Sequence, residues 1–192
     1  LMGMGEPFYN YDNVKIAIDI LKNKEGLNYG PKKITVSTAG IANKIPNAAK
    51  DMGTYLALSL HAPNDKIREL IMPINKKYKL KELIKQCKYY SSIVKEKITL
   101  EYVMLKGIND SLDCANELSK LMSQFPCKVN LIEFNVWPGV NYLPTPRKEI
   151  EKFGKIIQES GYIATIRRSR GEDILGACGQ LRTDSEKIKK EV

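Results

Sequence analysis

The chain has 192 residues, with 31 Lys and Arg against 22 Asp and Glu and a formal net charge of +9. Its 43% hydrophobic and 28% charged content belongs to one globular domain with a real core, and excludes disordered, collagen-like and coiled-coil classes. No apolar run nears the ~20 residues of a membrane helix, and Leu1 to Pro7 has no basic region leading into an apolar one, so a cytoplasmic, monomeric protein without membrane contact is expected.

Two periodicities alternate along the chain. Val14, Ala17, Ile18 and Leu21 have helical spacing, and Lys33 to Ser37 is β-branched and reads as a strand. Ile45, Ala48, Ala49 and Met52 form a second helical stripe. Tyr55 to Leu60 is a strand, followed by a short helix from Asn64 to Ile71 that Pro73 stops. Leu80, Leu83, Ile84, Cys87 and Tyr90 mark a longer helix, and Ile98 to Met104 a strand. Then come a helix through Ala115, Leu118, Met122 and Phe125, a strand from Val129 to Phe134, and a helix on Ile150, Phe153 and Ile157. That last helix is expected to start at a Thr145 cap with Pro146 in its first turn and to stop before Gly161. Tyr162 to Arg168 is a final strand, and Thr183 with Glu186 has capping-box spacing for a terminal helix.

Strand-then-helix alternation repeated about five times implies a parallel sheet with right-handed crossovers. A doubly wound sheet buries both faces and needs both apolar. Here each strand carries one polar face: Thr35 and Ser37, Ser59 with His61, Thr99 and Glu101, Glu133 and Asn135, Thr165 and Arg167. The expected fold is therefore α/β, a partial, open (β/α) barrel spanning 1–192, with a loop and helix extension at about 169–192. Leu1-Met2 reads as the end of a strand, making the chain the C-terminal part of a longer protein, truncated at its N-terminus.

In such a barrel, ligand-binding groups sit after the C-terminal ends of the strands. The candidates are the turn Gly3-Met-Gly-Glu-Pro7 with Gly5 and Glu6, then Ser37-Thr-Ala-Gly40, the run Ser59-Leu60-His61, Asn135 to Gly139, and the stretch from Arg167 to Leu181. Glycines after a strand let a ligand approach the backbone, and Glu6 offers an acceptor for an ammonium group; a tight turn explains the glycines equally well. His61 is the sole histidine, so no two-histidine metal site exists, and it reads either as a packed hydrogen-bonder or as a functional group. Asn135 serves either a ligand or its own loop.

Four cysteines, Cys87, Cys114, Cys127 and Cys178, stand 27, 13 and 51 residues apart, which gives no CxxC pair, no local metal site and no need for disulfides. Cys87, Cys114 and Cys127 lie near apolar positions, where cysteine acts as a small hydrophobe. Cys178 lies among small residues downstream of Arg167, Arg168 and Arg170, where guanidinium groups would favour its thiolate; a buried loop cysteine is the other reading. The basic clusters around Lys76 and Lys77 and at Arg167, Arg168 and Arg170 suit either polyanion contact or a solvated surface.

The blocks Gly3-Met-Gly-Glu-Pro7, Ser59-Leu-His-Ala-Pro-Asn64, Pro73-Ile-Asn-Lys-Lys-Tyr78, Glu101-Tyr-Val-Met-Leu105 and Ala177-Cys-Gly-Gln-Leu181, in this order across the chain, resemble the radical S-adenosylmethionine methyltransferases of adenosine in RNA. The likeness is to the dual-specificity family that methylates carbon 2 of adenine in 23S rRNA and tRNA. The resemblance implies that Gly5 and Glu6 bind the amino group of S-adenosylmethionine, that Ser37, Ser59, Leu60, His61 and Asn135 line the same ligand, and that Cys178 carries the methyl group. It further implies transfer by relay. Carbon 2 of adenine is electron-poor and has no acidic proton. One S-adenosylmethionine therefore methylates the cysteine, and a second, reduced by an iron–sulfur cluster, yields the radical that activates that methyl group. The flipped adenine leaves its stack at an energetic cost. Arg167, Arg168, Arg170, Lys76 and Lys77 are candidates for holding RNA phosphates in compensation.

The sequence departs from the family pattern in one respect. No CxxxCxxC motif is present, so the [4Fe-4S] ligands are not in this chain and no metal-binding residue is assigned. They are expected before Leu1 in a complete protein, together with a second, resolving cysteine, and the segment alone is expected to be inactive. Three other readings stand beside the first: a methyltransferase of adenine carbon 8, a non-catalytic RNA-binding remnant, and a barrel aldolase. The aldolase would need a lysine inside a strand, and only Lys33, at an edge, approaches that.

Overall fold

The computed structural model describes residues 1–3, 5–136 and 139–167. In chain order the elements are α1 (Tyr11–Lys22), β1 (Thr35–Thr38), α2 (Ile45–Asp51), β2 (Tyr55–Ser59), α3 (Asp65–Ile71), α4 (Leu80–Val94), β3 (Ile98–Met104), α5 (Leu112–Met122), β4 (Cys127–Glu133), α6 (Arg147–Glu159) and β5 (Ala164–Arg167). The five strands form one parallel sheet in the order β1-β2-β3-β4-β5. A doubly wound sheet reverses its strand order partway across. This one never does, so right-handed crossovers place the helices on one face and leave the other open. That is the partial (β/α) barrel.

Local chemistry explains where the elements begin. Asn64 accepts from the Ile67 amide at 3.0 Å and caps α3, and Ser111 accepts from the Cys114 amide at 3.1 Å and caps α5. The helix-side face of the sheet is apolar throughout: Val36, Leu56, Leu58, Ile98, Leu100, Tyr102, Met104, Val129 and Leu131 are buried. They meet stripes from the helices, including Leu83, Ile84 and Cys87 of α4, Ala115, Leu118 and Met122 of α5, and Ile150, Phe153 and Ile157 of α6. Tyr102 and Phe153 stack with ring centroids 5.5 Å apart.

The opposite face carries Ser37 of β1, Ser59 of β2, Glu101 of β3, Asn130 of β4 and Thr165 of β5. Ser59, Glu101, Asn130 and Thr165 are lateral neighbours in the register. Leu1 extends this sheet on the free edge of β1: its amino group donates to Thr35 O at 2.7 Å and its carbonyl accepts from the Ser37 amide at 3.1 Å. That straddling of Val36 is the pattern of a parallel partner, as expected of Leu1-Met2.

Several sequence expectations shift, among them the last strand, which starts at Ala164 rather than Tyr162, and Phe125, which follows the end of α5. Pro31 to Lys33 forms a 3-10 turn, so the first strand starts at Thr35 rather than Lys33. β4 starts at Cys127 rather than Val129. Its polar concave residue is Asn130, beside Glu101, while Glu133 points to the helix layer and pairs with Arg147 of α6 at 2.7 Å. Thr145 does not cap α6: its hydroxyl donates to Asp110 at 2.9 Å, and Pro146 stands at the cap position. The expected terminal helix at Thr183, the extension at about 169–192 and the last residue of the final strand, Arg168, lie outside the described residues.

Candidate functional site at the strand-end mouth

At the C-terminal ends of β1 and β2, two short segments meet. Gly5 adopts φ +87°, and a Cβ there would touch nothing within 4 Å, so the turn is open on its outer side. Glu6 follows, half-buried, with its carboxylate fixed by three donors: the Phe8 amide at 3.0 Å and the Thr38 hydroxyl at 2.9 Å on Oε1, and the Ala39 amide at 2.6 Å on Oε2. A carboxylate has about four acceptor sites. The structure therefore holds Glu6 rigid and leaves acceptor capacity for a cation. Ser37, half-buried on the concave face of β1, donates to Leu1 O at 3.2 Å.

The second segment is Ser59-Leu60-His61. The Leu60 and His61 amides both donate to Glu101 O, at 3.0 and 3.2 Å, which ends the regular ladder between β2 and β3. His61 turns into the left-handed region at φ +57°, a conformation unusual for a residue with a side chain. Its Nδ1 accepts from the Val103 amide at 3.1 Å, and its carbonyl accepts from Asn109 Nδ2 at 2.8 Å. Desolvation of the ring, and then the charge of Arg68, push the His61 pKa down to about 4. The imidazole is thus neutral, and because Nδ1 accepts, its proton sits on Nε2. The strand ends therefore carry one fixed carboxylate and one neutral imidazole.

Beneath this ledge lies Arg68 of α3, fully buried. Its Nη2 donates to Ala39 O at 2.7 Å and Ser59 O at 3.1 Å, its Nε to Leu60 O at 3.0 Å, and its Nη1 to Asn75 Oδ1 at 3.0 Å. Burial lowers its pKa to about 10, so it remains a cation. Gly40, at φ +106°, caps the guanidinium; a Cβ there would lie 3.1 Å from Arg68 Nη2 and 3.2 Å from a Leu83 methyl. Gly40→Ala is expected to lower stability by about 2–3 kcal/mol through strain and overpacking. A denaturant titration reads this as an earlier midpoint, and an unchanged midpoint would disprove the contact.

Deeper on the concave face, Glu101 is buried, and its pKa is raised by burial, opposed by the Asn130 hydrogen bond at 3.0 Å and the charges of Arg167 and Lys128. Its Oε2 has no partner among the described residues. Asn130 in turn accepts from Thr165.

The structure brings Gly5, Glu6, Ser37, Ser59 and His61 to one end of the sheet; Leu60 stands there too, but its side chain turns into the core and is fully buried, so it does not line the mouth. Asn135 follows β4 by two residues, half-buried, at that same end. Lys76 and Lys77 are exposed on the turn after α3, and Arg167 is exposed at the end of β5, all along the rim. Cys178, Arg168 and Arg170 lie outside the described residues. Cys87, Cys114 and Cys127 are buried, and burial drives the Cys87 and Cys127 thiols up to about 12 and raises that of Cys114. They are core residues, as expected. Sequence reading missed Arg68 and Asn109, and it took in Thr38 only as part of the run from Ser37 to Gly40. The one signal for Arg68 is a cation sharing the inward stripe of a short helix with Ile67 and Ile71.

An open sheet of sequentially ordered parallel strands, with a carboxylate-bearing glycine turn at its mouth, defines a class of protein. The model of the radical SAM superfamily matches residues 1–115, and the chain belongs to that superfamily. Within it, the chain is 50% identical to the dual-specificity RNA methyltransferase RlmN of Sinorhizobium fredii over 191 residues, 99% of this chain and 46% of that protein. A solved radical SAM methyltransferase from Sphaerobacter thermophilus superposes with a TM-score of 0.90 at 42% identity, covering 94% of this chain and 53% of that one. A domain of pyruvate-formate lyase-activating enzyme from Bacteroides vulgatus, at TM-score 0.65 and 14% identity, shares the fold. The chain spans about half the length of the curated relatives it matches.

S-adenosylmethionine fits the mouth: its ammonium suits the remaining acceptor capacity of Glu6, and its nucleoside suits the neutral ledge of Ser59 and His61. An iron–sulfur cluster does not fit this chain's own residues. Among the described residues no three His, Cys, Asp or Glu side chains come together to hold a metal, and three of the four cysteines are sealed in the core. No described helix is long and apolar enough to cross a membrane.

Proposed function

We propose that this chain is the S-adenosylmethionine-binding part of a cytoplasmic RNA methyltransferase that acts on carbon 2 of adenine in 23S rRNA and tRNA. The observation that carries the reading is the Glu6 carboxylate, held on three donors beside an open glycine turn, at the same strand ends as a neutral histidine. Such a site selects a ligand with a cationic amino-acid end and an uncharged nucleoside end. S-adenosylmethionine supplies a methyl group on a positively charged sulfur, and a neighbouring reduced cluster would give access to radical chemistry.

The chain's own residues then have separable tasks. Glu6 anchors the ammonium. Ser37, Ser59, His61 and Asn135 place the nucleoside, and Leu60 offers only its backbone, since its side chain is buried in the core. Cys178 accepts and carries the methyl group. Arg167, Arg168, Arg170, Lys76 and Lys77 draw the phosphates of RNA to the rim, consistent with the +9 charge of the chain.

The test is to give the full-length protein, with its cluster reconstituted, S-adenosylmethionine and unmodified 23S rRNA or tRNA, and to identify the modified nucleoside by mass spectrometry. The expected product is 2-methyladenosine in both RNAs. Product methylated at carbon 8 would replace this reading with the sister activity, and RNA binding with no methylated nucleoside would reduce the protein to an RNA-binding remnant.

A further inference from the structure

We propose that Arg68 is a positioning residue that sets the distance between the two halves of the mouth, the Glu6 turn and the Ser59–His61 ledge, and so decides whether one ligand can engage both. The proposal rests on the reading that the mouth binds S-adenosylmethionine.

The geometry that supports it runs through one residue. The Ala39 amide donates to Glu6 Oε2 at 2.6 Å, and the Ala39 carbonyl accepts from Arg68 Nη2 at 2.7 Å. The same nitrogen donates to Ser59 O at 3.1 Å, and Nε donates to Leu60 O at 3.0 Å. One rigid guanidinium therefore holds carbonyls from the ends of both β1 and β2: Ser59, the last paired residue of β2, and Ala39 and Leu60, each one residue past its strand. Lysine has the charge but not the planar fork of donors.

The surroundings make this an expensive device for stability alone. Arg68 is fully buried, and no carboxylate forms an ion pair with it among the described residues. Asp65 acts at one remove, through Asn75, whose amide donates to Asp65 Oδ1 at 2.8 Å and whose oxygen accepts from Arg68. Desolvating a cation without a direct counter-ion is unfavourable, and well-packed apolar groups commonly do as well for stability. What apolar groups cannot do is fix three carbonyl directions at once.

A ligand that bridges two half-sites gains affinity from their fixed separation, and loses that gain without any change in either half. The experiment measures, by isothermal titration on the full-length protein, binding of S-adenosylmethionine and of its two halves, 5′-methylthioadenosine and methionine. The variants are Arg68→Met, Arg68→Lys and Asn75→Ser, the last two serving if the first does not fold. The expected result is at least a tenfold loss for S-adenosylmethionine in the Arg68 variants and a smaller loss for Asn75→Ser, with the halves changed by less than about twofold. A role confined to stability would weaken whole ligand and halves together. That outcome, or full affinity in a folded Arg68→Lys, overturns the proposal. A wild-type protein that binds none of the three ligands overturns the site reading beneath it.

Discussion

Glu6→Gln is expected to weaken S-adenosylmethionine binding by about a hundredfold, read by isothermal titration. The carboxylate accepts from Phe8 N, Thr38 Oγ1 and Ala39 N, and an amide cannot reproduce that arrangement. Whichever way the glutamine turns, its NH2 group meets an N–H or O–H donor where an acceptor stood. The turn then loses its clamp at the same time as the ligand's ammonium loses its counter-charge. A charge-assisted hydrogen bond contributes about 1.5–3 kcal/mol, and a hundredfold is about 2.7 kcal/mol, so the two magnitudes agree. 5′-Methylthioadenosine, which lacks the ammonium, should lose little affinity in the same variant. Equal losses for both ligands would mean that Glu6 only holds the loop, and an unchanged affinity for S-adenosylmethionine would remove the carboxylate from the site.

Glu6 and the Ser59–His61 ledge were legible in the sequence because the chemistry there follows the chain. A glycine turn and a Ser-Leu-His run each occupy a few consecutive residues at the end of a β-branched strand. The open barrel was legible for a similar reason: the polar residues of β1, β2, β3 and β5 gather on one face, Thr35 and Ser37, Ser59, Thr99 and Glu101, Thr165 and Arg167. β4 resisted. Leu131 and Ile132 are adjacent and both apolar, which breaks the alternation, so Glu133 and Asn130 compete for the concave face. The choice is made by pairing with Glu101 and by the Arg147 ion pair, neither of which is local. The Thr145 cap failed because Asp110, from another loop, takes the hydroxyl.

Arg68 shows the same limit more sharply. Besides Asn75, its partners are backbone carbonyls of residues 8, 9 and 29 positions away, and a carbonyl has no sequence signature. Asn109 is similar. It is fully buried, donates to the carbonyls of His61 and Val103 and accepts from the Leu105 amide, yet in the sequence it is one polar residue in a loop. Side chains that organise backbone emerge only when the strands are assembled.

Cys178→Ser is expected to abolish methyl transfer to RNA while leaving S-adenosylmethionine affinity within about twofold, because on the proposed relay the serine removes the methyl acceptor and none of the groups assigned to the ligand. A thiolate is the nucleophile in cysteine alkylation, and a thiol reaches it near pH 8.5, whereas an aliphatic hydroxyl does not ionise in that range. The other three cysteines of this chain are poor substitutes. Cys87 and Cys127 are buried, with thiols pushed up to about 12, and Cys114 is buried and raised too. Methyl transfer is read by mass spectrometry of the RNA nucleosides and of the tryptic peptides. In the wild type, one methyl group should appear on the peptide holding Cys178 and on none holding the other three. RNA methylation by Cys178→Ser would dismiss the relay. A methylated peptide holding Cys87, Cys114 or Cys127 would relocate it and require that helix or strand to open.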